Sequence, residues 1–231
     1  MAEAAALLLI LSLAAYLRLA NRADNPGWYS DEGTHIDIAM NLMEGRAQSL
    51  AITQSMLLVA RPPLFHLLLA GLFRLWGAGI ETLRAFTGGL GVASVALLYW
   101  VMRKAQGAGP ALLSAVMLAI YPDAILYSRI GYSYNLLTPL VLLACWGLWG
   151  YLETTRRRWL ALAALALGLG FVSELVALVF LLPFALVAEW PENDALALTR
   201  EVLRQVLVFS LFTLLAVFLI SVLVSRKITE P

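Results

Sequence analysis

Cysteine is all but missing from this chain. Its 231 residues include one, Cys145, set in an apolar run between Ala144 and Trp146. A lone thiol cannot form a disulfide within the chain, and one placed there is expected to be buried and inert. Charge is also scarce: 13% of residues are Asp, Glu, Lys or Arg, and the formal net charge is +1. With no basic surplus, nucleic acid is excluded as a partner. No basic stretch precedes the first apolar run, which carries Glu3 instead, and no small-residue cleavage site follows it. A cleaved leader is therefore not expected, and the run is read as a retained helix. No inverted repeat and no matched pair of broken segments is visible, so the usual sequence sign of a transporter is missing.

What the chain has is apolar sequence. It is 61% hydrophobic, with a mean hydropathy of +0.83. The apolar runs recur along its whole length, which predicts an all-α, polytopic transmembrane helix bundle forming a single module over 1–231. Spans are expected at Ala4–Leu19, Ala85–Met102, Pro110–Tyr127 (bent near Pro122), Leu136–Leu152 and Val206–Val224. Trp159–Glu189 is too long for one crossing and breaks at Ser173-Glu174, which suggests two short helices packed as a hairpin. That makes about seven spans. Pro63–Trp76 is short and contains Arg74, which suits a juxtamembrane or re-entrant helix inside a polar loop over 21–83. Arg103-Lys104, Arg156-Arg157-Arg158 and Arg200 with Arg204 should be cytoplasmic by the positive-inside bias. The Asp31-Glu32 loop then faces out of the cytoplasm, although Arg18 and Arg22 flank the first span on that outer side.

The longest polar interval holds Ser30-Asp31-Glu32-Gly33-Thr34-His35. Behind it Ile36, Ala39, Met40 and Met43 repeat at i, i+3, i+4, i+7, one apolar face of a short interfacial helix that Gly45 should end. Ser30 would cap it, placing Asp31 and Glu32 in the first turn, where the helix dipole favours acids. Two adjacent carboxylates beside hydrocarbon are either a reaction centre or solvated acids of a helix start, and the residues alone leave both readings open. Glu32 and His35 have i, i+3 spacing and Asp31 and His35 i, i+4, but the remaining ligands of a metal site are missing. Glu174 is either a site-facing acid or the polar turn of a helical hairpin. His66, one turn into an apolar helix, has the place of a structural histidine.

The order of motifs carries a resemblance. Asp31-Glu32-Gly33 in a loop helix is followed by Arg61-Pro62-Pro63-Leu64-Phe65 and Trp76-Gly77. Glu81 and Arg84 then open a helix, and Tyr121-Pro122 precedes Tyr127-Ser128-Arg129. This resembles the amino-terminal module of GT-C class polyprenyl-phosphate-sugar-dependent glycosyltransferases, which include protein O-mannosyltransferases and lipid A aminoarabinose transferases. Two positions depart from the pattern: Glu174 stands where a lysine is common, and Gly131-Tyr132-Ser133-Tyr134-Asn135 stands where an acid is common.

The resemblance implies inverting transfer from a polyprenyl-phosphate-linked sugar to a protein, lipid or glycan acceptor outside the cytoplasm. It implies a multi-pass protein of a prokaryotic plasma membrane, surrounded by membrane lipids. Asp31 would be the catalytic base, with Glu32 supporting it or binding the acceptor. Arg61 and Arg129 would grip the donor phosphate, because a guanidinium matches phosphate oxygens bidentately, unless they snorkel into head groups. His66 would contact donor or acceptor, and His35, Tyr132, Tyr134, Trp28 and Glu174 would line the acceptor or sugar site, the aromatics having an interfacial belt as their other reading. No cofactor is implied, with a divalent metal left open. Family members usually continue into further helices and an outer domain, so a missing carboxyl-terminal part or a further subunit is expected. An idle relative serving in assembly, or a transporter using Glu174, are the competing readings.

Overall fold

The computed structural model describes residues 2–46 and 63–174 together with Ala177. Among these residues every regular element is helical. Three helical segments are long and apolar enough to cross a bilayer, Ala2–Leu19, Ile80–Gln106 and Ser133–Thr154, and a bent pair makes a fourth candidate. The expected helical class is therefore observed, with three or four spans among the described residues. The second half of the Trp159–Glu189 pair, the Val206–Val224 span, and Arg200 and Arg204 lie outside them.

The elements follow the local chemistry. Helix α1 is Ala2–Leu19, and the interfacial helix α2 is Ser30–Met43. Ser30 turns out to be the first helical residue rather than the cap. The cap position is Tyr29, whose N–H donates to the Glu32 carboxylate one turn later at 3.2 Å. After Met43 the chain passes Gly45 at φ +77°, a left-handed conformation that glycine adopts without strain. The short apolar helix α3 is Leu64–Trp76, and α4 is Ile80–Gln106. At 27 residues α4 is about 40 Å long, more than a bilayer core requires. It is followed by α5, Ala108–Ile120, and α6, Pro122–Arg129, which meet at a 57° bend. A 3-10 turn at Ser133–Leu136 leads into α7, Leu137–Thr154, and α8 is Arg157–Ser173. Helix α8 stops where the sequence suggested, with Glu174 in extended backbone.

Small residues set the packing. Ala14 of α1, Ala111, Ala115 and Ala119 of α5, and Val95 and Tyr99 of α4 form one buried cluster. Ala144 and Leu148 of α7 meet Ala163, Ala164 and Leu167 of α8 in another. At Gly147 a Cβ would stand 2.8 Å from the Ala163 amide nitrogen, so these two backbones nearly touch. Close backbone approach is how helices gain packing energy in lipid, where apolar burial alone drives little association. A third cluster joins Ala39 of α2, Phe65, Leu69 and Phe73 of α3, and Leu83 of α4. It fastens the interfacial helix onto the bundle.

The helix directions give the bundle two polar ends. At one, Glu3 accepts from Arg103 Nε at 2.6 Å, Lys104 pairs with Glu153 at 3.1 Å, and Lys104 Nζ lies over the Trp159 ring. The Arg103 and Arg156–Arg158 turns thus share that end. Asp31, Glu32, Arg84, Arg129 and Glu174 belong to the other.

Arg18 explains how the bend is tolerated. Pro122 has no N–H, so the Leu118 carbonyl loses its helical donor, and the turn at Tyr121 removes that of Ala119 as well. Arg18, buried in the last turn of α1, donates Nη2 to Leu118 O and Nη1 to Ala119 O, both at 2.9 Å. Gly91 makes room for it, since a Cβ there would stand 2.9 Å from Arg18 Cδ and Nε. Arg18→Leu should lower the unfolding temperature in detergent by the loss of roughly 1–3 kcal/mol for each carbonyl left unsatisfied. An unchanged melting curve would show that the bend needs no donor.

Candidate active site

The acid pair divides at once. Glu32 is fully buried against Arg84, also fully buried. Arg84 Nε donates to Glu32 Oε1 and Nη2 to Oε2, each at 2.7 Å, the two-pronged geometry that a guanidinium and a carboxylate favour. Oε1 also accepts the Gly131 N–H at 2.9 Å, and Oε2 that of Tyr29. The carboxylate therefore holds four donors from three parts of the chain. The first turn of α2 points Glu32 inward and leaves the preceding residue, Asp31, partly exposed.

Arg84 is equally occupied. Nη1 donates to the carbonyls of Arg22 (2.8 Å), Ala23 (3.1 Å) and Pro26 (2.8 Å), and Nη2 to that of Gly27 (2.9 Å). Arg129 does similar work next door. It donates to the carbonyls of Leu17 (2.7 Å), Ala20 (2.7 Å), Asn21 (3.2 Å) and Asn25 (2.9 Å). The carbonyls of an irregular loop at the edge of hydrocarbon need donors. These two guanidinium groups supply them to the segment that ends α1 and leads to Asp31.

Across from α2 lies the strip 130–136. Asn135 Nδ2 donates to the carbonyls of Tyr127, Ile130 and Tyr132, which folds the strip into a compact turn. Tyr132 packs against Tyr29, Tyr127 and Tyr134, with ring centroids 6.3, 6.0 and 6.4 Å apart. Loss of solvent, followed by the nearby charge of Asp31, holds the Tyr132 phenol above its ordinary pKa, so it stays a neutral donor. Ser133 donates to the Glu174 carboxylate, bringing the end of α8 to the same strip. Trp28, largely exposed, lies over Gly33, where a Cβ would stand 3.0 Å from its ring.

Asp31, Tyr132, Tyr134 and Glu174 thus converge, by way of residues 131–134, on one end of the bundle. His35 and His66 form a separate buried pair, Nδ1 to Nε2 at 2.9 Å, with Phe65 against both rings. Glu32 and His35 turn to different partners. Among the described residues no group of three His, Cys, Asp or Glu side chains is placed to hold a metal ion. Arg61 lies outside the described residues. Arg84, Tyr29 and Tyr127 are the site residues that sequence reasoning left without a role. The one available signal was an arginine one turn into an apolar helix, which must find a partner.

A family model described as dolichyl-phosphate-mannose-protein mannosyltransferase matches residues 60–225. That is more than two thirds of the chain. The chain belongs to this mannosyltransferase family. It is accordingly a membrane glycosyltransferase of the GT-C type, which agrees with the resemblance read from its motifs. Arg84, Arg129, the tyrosine strip and Glu174 fall inside the matched region, whereas Asp31 and Glu32 precede it. No curated protein and no solved structure gives a significant match.

Glu32→Gln in this mannosyltransferase-family chain should be severely destabilising. It leaves the Arg84 charge buried without its counter-ion, a change that typically costs about 3–5 kcal/mol. Thermal unfolding followed by circular dichroism should show a large drop, and Glu32→Asp, which keeps the charge, should recover part of it. Wild-type stability in Glu32→Gln would mean that the pair is dispensable.

Proposed function

We propose that the chain transfers a sugar from a polyprenyl-phosphate donor to an acceptor hydroxyl on the extracytoplasmic side, with inversion, and that Asp31 takes the proton. The observation that carries this reading is the split of the acid pair. Glu32 is closed off by four donors, whereas Asp31 sits on the partly exposed turn beside the tyrosine strip.

In the proposed reaction the acceptor oxygen bonds to the anomeric carbon as that carbon's bond to the phosphate oxygen breaks. The bonding pair leaves with the polyprenyl phosphate, and the acceptor proton passes to the Asp31 carboxylate. The departing phosphate is a stable anion, so it needs cations more than a general acid. A carboxylate on the opposite side of the anomeric carbon meets the geometric demand for a base. Tyr132 and Tyr134 offer hydroxyls and ring faces to a sugar, and Glu174 steadies that strip through Ser133. His35 and His66 brace α2 from beneath. Arg61 remains the proposed phosphate ligand of its segment. Arg129, engaged with four carbonyls, takes the part of a positioning residue together with Glu32 and Arg84. The extracytoplasmic setting is supported by the Arg103 and Arg156–Arg158 turns, which share the end remote from Asp31.

Asp31→Asn should fold and bind donor like the wild type while losing turnover. An amide keeps the shape but accepts no proton, and removal of a general base usually costs about 10²–10⁴ in rate. The check is sugar transfer from a polyprenyl-phosphate donor in nanodiscs, alongside melting temperature and donor binding, on the full reading frame with any partner subunit present. Wild-type turnover in this variant would move the base elsewhere, Glu174 being the next carboxylate at the strip.

A further inference from the structure

Most described arginines at the Asp31 end are already occupied. Arg84 and Arg129 serve carbonyls and Glu32, Arg18 serves the bend, Arg46 pairs with Glu44 and Asn41, and Arg74 donates to Met43 O at 2.8 Å. Arg22 differs. Its two contacts are long, Nε to Glu81 O at 3.3 Å and Nη1 to Leu19 O at 3.5 Å, so most of its donor capacity is not used. It lines a groove of about 610 Å³ between α3 and α4.

That groove has the form of a lipid lane. Its polar mouth is Arg22 with Glu81 and Thr82, and its walls descend along α3 and α4 through Trp76, Leu72, Phe86 and Leu90. On α4 the lining runs from residue 81 to residue 90, roughly 13 Å along the axis. Gly89 faces the open lane, since a Cβ there would meet nothing within 4 Å. The mouth is also wired to the acid pair. The Arg22 carbonyl accepts from Arg84 Nη1 at 2.8 Å, while the other nitrogens of Arg84 hold Glu32, next to Asp31.

We propose that this groove seats the isoprenoid chain of the lipid-phosphate donor, with the Arg22 guanidinium on its phosphate. The inference rests on the donor reading above and adds a location and a ligand to it. A cation with unused donors above an apolar lane between two helices suits a lipid that ends in phosphate. The link from the Arg22 backbone through Arg84 to Glu32 favours the reacting donor over a bilayer phospholipid. Arg84 would then brace both partners of the displacement, the phosphate through the Arg22 backbone and the base through Glu32. Displacement is efficient only when its reacting groups are held in register.

The test is binding of a diazirine-bearing short-chain polyprenyl phosphate to the full chain in phosphatidylcholine nanodiscs, with crosslinked peptides mapped. Wild type should crosslink within 72–76 and 85–90. Arg22→Gln should lose about tenfold to a hundredfold in affinity, as expected for a charge-assisted phosphate contact, and Arg22→Lys less. Gly89→Leu puts a side chain into the lane from a position where a Cβ meets nothing within 4 Å. It should weaken binding to a similar degree while its melting temperature holds. Unchanged affinity in Arg22→Gln and Gly89→Leu, with crosslinks elsewhere, would overturn the groove and leave the donor reading standing. Equal competition by phosphatidylglycerol would overturn it too, by making the lane a general anionic-lipid site. No binding of polyprenyl phosphate by wild type would overturn the donor reading itself.

Discussion

One buried ion pair organises the end of the bundle that carries the proposed site. The Arg84 guanidinium rises from the first turns of a long membrane helix, grips Glu32 with two nitrogens and collects four loop carbonyls with what remains. A buried charge pair is seldom a net source of stability, because desolvation offsets most of its attraction. Its value here is positional. Without it the carbonyls of Arg22, Ala23, Pro26 and Gly27 lose their Arg84 donor, the first turn of α2 loses its tie to α4, and the Gly131 amide loses its acceptor. A glycine at 131 is also required sterically, as its missing Cβ would run into the Leu83 side chain. The pair therefore joins three stretches of chain that share no regular hydrogen bonding.

This arrangement gives two adjacent acids different work. Successive residues in the first turn of a helix point about 100° apart, so one can face the bundle while its neighbour faces the interface. Glu32 takes the inward direction and becomes part of the frame. Asp31 takes the outward one, towards Tyr132. A rigid frame behind a partly exposed carboxylate is what a base needs when it must meet an acceptor at fixed distance. The family assignment rests on residues 60–225, and the acid pair is tied into that region through Arg84 and Gly131.

Local features of this fold were legible in the sequence. The short α3 with its internal Arg74, the bend at Pro122, the end of α2 before Gly45 and the stop at Ser173-Glu174 all follow from periodicity and from proline or glycine chemistry. The apolar stretch of α4 spans only Ala85 to Met102. The helix instead runs from Ile80 to Gln106 because its polar flanks, including Arg84 and Arg103, find partners on other helices. What could not be read was long-range pairing. Arg84 meets a carboxylate 52 positions earlier, Arg129 caps carbonyls more than 100 positions away, and Arg18 repairs a bend in a helix it precedes by a similar distance. Local pattern carries no record of such partners. The sequence alone therefore leaves Glu32 as a support of Asp31 or an acceptor contact, and Arg129 as a phosphate ligand or a head-group anchor; their partners in the fold are Arg84 and the loop carbonyls.

Amide hydrogen exchange tests most directly whether Arg84 holds this end together. Wild type and Arg84→Lys would be compared in nanodiscs, following peptides over 20–33, 128–136 and, as an internal reference, α7 and α8. A lysine keeps the charge but cannot grip both carboxylate oxygens and four carbonyls at once. Protection should fall over 20–33 and at Gly131 while α7 and α8 exchange as before. Unchanged exchange over 20–33 would contradict the account, because the loop and the first turn of α2 would then be held by something other than this guanidinium.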